Sequence, residues 1–93
     1  MTYKEFQTAT AKIQNEKYSG DVFTAVDFGL KRADFVQDKL QQLVAIAEKT
    51  HSATARKKQA AWLREIEKSK VARKRFELIK LEDDLKSLSG NQY

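Results

Sequence analysis

The side chains able to do chemistry are few, and their spacing argues against a catalytic site. The chain holds one histidine, His51, and no cysteine. A zinc site or a nucleophile–base pair needs several such groups converging on one point, so His51 reads as a solvated turn or capping residue. Glu82, Asp83 and Asp84 are consecutive. Successive helical residues point about 100° apart, so these carboxylates form a solvated run rather than an acid–base pair or a metal cage. Gly20, Gly29 and Gly90 are isolated, which excludes a glycine-rich phosphate loop. The expectation is a non-enzymatic protein with no catalytic residue, no cofactor and no metal site.

The chemistry that is on offer is electrostatic. Residues 1–50 hold seven basic and seven acidic side chains, whereas residues 51–93 hold eleven and six, so the whole net charge of +5 lies in the second half. Lys57, Arg64, Lys68, Arg75 and Lys86 follow one another at spacings of seven, four, seven and eleven. Those spacings keep one face of an α-helix and predict a basic ridge for binding a partner. Asp27, Asp34 and Asp38 line the flank of a preceding helix in the same way. In an antiparallel hairpin turning near residue 52, residue 38 lies beside 66 and residue 34 beside 70. The acidic flank then meets Arg64, Lys68, Lys70 or Arg73.

Helices must position these groups. Proline is absent and glycine occurs three times in 93 residues, so the chain has almost no helix breakers. The length makes one domain at most. A capping box, Thr2-Tyr3-Lys4-Glu5, opens a first helix over about residues 3–18, stopped by a left-handed Gly20. Its seam is Tyr3, Phe6, Thr10, Ile13 and Lys17. Asp21 is placed as the cap of a second helix, over about 22–49. There Val22, Val26, Gly29, Ala33, Val36, Leu40, Leu43 and Ala47 step by four and three, the spacing of a heptad seam. Thr50 to Thr54 form a turn, with Ser52 or Thr54 capping a third helix over about 55–88 and Gly90 closing it. The competing arrangement is one unbroken helix from 22 to 88.

The third helix carries two apolar stripes. One holds Leu63, Val71, Leu78, Leu81, Leu85 and Leu88; the other holds Ala61, Trp62, Ile66, Ala72, Phe76 and Ile79. Two apolar faces predict two packing neighbours. Phe28 and Phe35, seven apart with Ile46 extending their face, form either the bed for helix 1 or an exposed docking or dimer interface.

The fold class expected is therefore all-α: a short helix, then two long helices in an antiparallel hairpin, dimerised into a larger bundle. The leading function is a helical protein-binding module, an adaptor or inhibitor with an acidic protein partner. Such small, basic, proline-free chains suit a phage- or plasmid-type accessory protein that occupies a host protein's surface. The alternative is sequence-nonspecific nucleic-acid binding by the basic face. Lys4, Glu5, Lys12, Glu16 and Lys17 interrupt the N-terminus, which does not read as a signal peptide. No apolar run approaches a membrane span, so no membrane partner and a cytoplasmic location are expected.

Overall fold

The computed structural model describes residues 1–20 and 24–90. They form three helices and, among the described residues, no strand: α1 (Tyr3–Asn15), α2 (Ala25–Glu48) and α3 (Ala53–Gly90). Helices α2 and α3 pack closely as the antiparallel hairpin, and α1 lies across its turn end. The unbroken long helix does not form, because the chain leaves helical geometry between Glu48 and Ala53.

Short polar side chains set the helix starts. Thr2 Oγ accepts the Glu5 amide at 3.2 Å. Ser52 Oγ accepts the Thr54 amide at 3.2 Å and opens α3. Asp21, Val22 and Phe23 lie outside the described residues, so the expected Asp21 cap does too. Helix α2 begins instead at Ala25, with Thr24 as its cap: Thr24 Oγ accepts the Asp27 amide at 3.2 Å. A threonine followed three residues later by an acid is a capping arrangement in its own right.

The end of α1 differs from expectation. The helix stops at Asn15, Glu16 is extended with φ −69° and ψ 135°, and no described glycine has positive φ. Tertiary contacts account for this. The Tyr18 ring sits 5.4 Å from Phe28 and 5.5 Å from Phe35, and Glu16 pairs with Lys39. These contacts outweigh the remaining helical turn, so Gly20 is not needed as a left-handed stop. Gly90 is the last residue of α3 rather than a residue beyond it.

The core is narrow. Phe6 is fully buried and packs with Ala47 and Ala55, flanked by Tyr3, Ile46 and Trp62. It thereby plugs the turn end of the hairpin. Farther along, the α2 seam faces α3 through its small residues. Gly29 and Ala33 are buried, and a Cβ on Gly29 would lie 2.5 Å from the Phe76 ring. Ser69 is buried and donates its hydroxyl to the Ala33 carbonyl at 3.1 Å. From α3, Trp62, Ile66, Ala72 and Phe76 supply the opposing surface; Ala61 and Ile79, assigned to the same stripe, are exposed.

Ion pairs follow the antiparallel register. Asp34 pairs with Arg73, and Asp27 with Lys80 at 3.3 Å. Asp38 pairs with no cation among the described residues; it accepts Gln42 Nε2 at 2.8 Å. The Asp27 carboxylate also accepts Thr24 Oγ at 2.8 Å. That hydroxyl first, and Lys80 second, hold its pKa below the ordinary aspartate value. A group with a lowered folded pKa contributes stability above its unfolded pKa and loses it as pH falls through the folded value. Asp27→Asn is therefore expected to lower the melting temperature at pH 7 and to have less effect in strong acid. Melting curves at neutral pH and near pH 2 check this; an equal loss at both would refute the assignment.

Candidate functional site

The direction of each α3 side chain follows from the line that meets α2. Trp62, Ser69 and Phe76 recur every seven residues on that line. Lys68 and Arg75 precede Ser69 and Phe76 by one residue, about 100° around the helix. Val71 and Leu78 follow them by two residues, about 200° around. Helix α3 thus presents three faces: one packed on α2, a basic flank, and an apolar back turned away from the hairpin.

All five predicted ridge residues, Lys57, Arg64, Lys68, Arg75 and Lys86, are exposed. Lys57 to Arg75 span about 27 Å of helix at 1.5 Å per residue. Lys86 stands apart, beyond the start of α2, and pairs with Glu82 at 3.5 Å. Lys68 pairs with Glu65 at 3.3 Å, both side chains being well exposed; exposed pairs of this kind contribute only about 0–1 kcal/mol. Lys57, Arg64 and Arg75 have no carboxylate partner among the described residues. The hairpin thus draws on Arg73 and Lys80 for its own ion pairs and leaves the ridge to solvent.

Beside the ridge runs a groove of about 480 Å³ between α2 and α3. Phe28, Val36, Ala72 and Phe76 make its apolar floor, and Arg32, Lys68 and Glu65 stand at its rim. The opposite side of the hairpin has a groove of similar size, about 420 Å³, but lined by Asp34, Gln37, Asp38, Lys70 and Arg73. The two sides therefore differ in chemistry: one has an apolar floor with two cations and one carboxylate at its edge, the other is polar throughout. Arg32 was not singled out from the sequence. Its signal is its place three residues after Gly29 and four before Val36, on the edge of the α2 seam.

Phe28, Phe35 and Ile46 do not form one exposed apolar patch. Phe28 and Phe35 are half-buried under Tyr18, from the segment after α1 rather than from α1 itself. Ile46 packs against the Phe6 cluster. His51 is exposed in the connection between α2 and α3. Among the described residues no group of three or more His, Asp or Glu side chains is placed to hold a metal, and no helix is long and apolar enough to cross a membrane. Compared with known proteins, the chain matches no protein family, no curated protein and no solved structure.

Proposed function

We propose that this chain is a non-catalytic protein-binding module that docks an acidic protein on the basic flank of α3. The observation that carries the reading is the pairing of an exposed cationic flank with an apolar groove. Arg64, Lys68 and Arg75 line one flank, and Lys68 also borders the floor made by Phe28, Ala72 and Phe76. A partner element with an apolar stripe and an acidic edge fits both parts: the stripe loses water against the groove while the edge meets the cations. Burial supplies affinity, and the charges supply orientation and faster encounter.

The test is the triple change Arg64→Gln, Lys68→Gln and Arg75→Gln. Glutamine keeps a helix propensity close to that of lysine and arginine, so the melting curve is expected to stay near that of the wild type. Capture from lysate, with and without nuclease and at two salt concentrations, reads the function. Nuclease-resistant recovery of an acidic protein that weakens in the triple variant, mainly through slower association, is the expected result. Recovery of nucleic acid instead, with the salt slope falling by about one unit per lost phosphate contact, would replace this reading with backbone binding. Unchanged capture of every partner would reduce the ridge to an ordinary solvated surface.

A further inference from the structure

Helix α3 carries a second apolar surface that the hairpin does not use. Val71, Leu78 and Leu85 recur every seven residues, and Leu81 and Leu88 fall three after Leu78 and Leu85. This is the a/d spacing of a coiled coil. The five are 54% to 66% exposed, on the back turned away from α2. Lys80 reaches Asp27 in the first turn of α2, and every residue from 81 to 89 is exposed. Asp83 and Asp84 border Thr24 to Asp27, whereas Leu81, Leu85 and Leu88 stay exposed as α3 runs on past the hairpin. Propensity alone holds a short helical segment only marginally in water.

We propose that a second copy of this chain covers this seam, with the two α3 helices running antiparallel. The inference does not rest on the reading of the basic flank, because the leucines of the seam carry it, although Arg75 of that flank borders the seam. The second copy is identified by how the charges beside the seam pair. In a parallel, in-register pair, Lys74 is the one charged residue in the seam and would face its own copy there. Lys70 would meet Arg75, and Glu77 would meet Glu82, each twice. Every such contact is between like charges.

An antiparallel pair centred between Leu78 and Leu81 removes most of this conflict. Leu78 then packs on Leu81 of the second copy, and Val71 on its Leu88. Lys74 faces Leu85, so its stem lies along apolar surface while its ammonium reaches water. Arg75 meets Glu82 twice, and the like-charged contact that remains is Glu77 with Asp84. Helices α1 and α2 sit on the far side of α3, so neither obstructs the approach.

Sedimentation equilibrium of the full chain is the first measurement. The expected result is a species of twice the 10.7 kDa chain mass. The double change Leu78→Gln and Leu81→Gln should return it to monomer with helicity largely kept, because neither residue packs within the hairpin. A monomeric wild type, or a dimer indifferent to the double change, would overturn the proposal. A charge reversal decides orientation. Arg75→Glu sets like charges opposite each other in the antiparallel pair and should weaken the dimer about tenfold, with Glu82→Arg restoring it. In a parallel pair the same change would face Lys70 and strengthen association, which refutes the antiparallel arrangement. The chain has no cysteine, so a spin label on Ser89→Cys reports a single site. Antiparallel packing separates the two labels by about 28 Å, from the rise of a helix; a separation near the about 10 Å between packed helices would again refute it.

Discussion

Replacing Phe6 with alanine is expected to lower the melting temperature by about 15 °C or more. Phe6 is the largest fully buried side chain described, at 0% exposure, and the only one of its class. Its ring lies 5.7 Å from that of Tyr3 and 6.0 Å from that of Trp62, so it ties α1 to the turn end of α3 through Trp62 and to α2 through Ala47. Phenylalanine-to-alanine changes at such sites cost about 3–5 kcal/mol. In a domain of this size each kcal/mol shifts the melting temperature by about 4–8 °C, and total stabilities are only about 5–15 kcal/mol. Because Ala47 and Ala55 are already small, little side-chain volume is available to collapse into the space. Thermal and urea unfolding of Phe6→Ala read the effect. A shift of a few degrees would mean that α1 contributes little to the fold.

Gly29→Val is expected to destabilise the hairpin by about 1–3 kcal/mol, the usual cost of overpacking. Glycine in a helix interior ordinarily costs up to about 1 kcal/mol relative to alanine, so on propensity alone this substitution should help. Geometry reverses the sign. A Cβ at this position would meet Cε1 and Cζ of Phe76 at 2.5 Å and Cδ1 at 2.8 Å. Valine adds two more methyl groups to that overlap. Truncating the ring should relieve it, so Gly29→Val combined with Phe76→Leu should lose less stability than the two single changes added together. Urea titrations of the four proteins in that cycle give the coupling directly; simple additivity would show that the ring moves aside at no cost.

Much of the architecture was legible in spacing. The α2 seam from Val26 to Ala47 turned inward as its steps of four and three require, and the Asp27–Lys80 and Asp34–Arg73 pairs fall along the antiparallel register expected of a turn near Ser52. Spacing reads well here because α2 and α3 touch along their whole shared length, so one period governs many residues. What escaped it depends on single contacts. Nothing in the order of residues says that Tyr18 crosses to Phe28 and Phe35 and draws the chain out of α1. Ser69 was passed over in an otherwise apolar stripe, because a hydroxyl reads as surface until a carbonyl such as that of Ala33 is placed within 3.1 Å. For the candidate site, the ridge was readable because it lies on one helix. The groove beside it was not, since its floor needs Phe28 from α2 and Phe76 from α3 together.

The unequal lengths of α2 and α3 separate two properties that are usually entangled. Helix α2 has 24 residues and α3 has 38, and the part of α3 beyond Lys80 extends about 15 Å past the hairpin at 1.5 Å per residue. Removing a heptad between Trp62 and Phe76 would take away the surface that α2 rests on and dismantle the fold. Removing one between Leu81 and Leu88 would spare the packed line from Trp62 to Phe76 and draw the tip in by about 10 Å. The overhang therefore behaves as a spacer whose span can change by whole heptads while the folded body stays as it is.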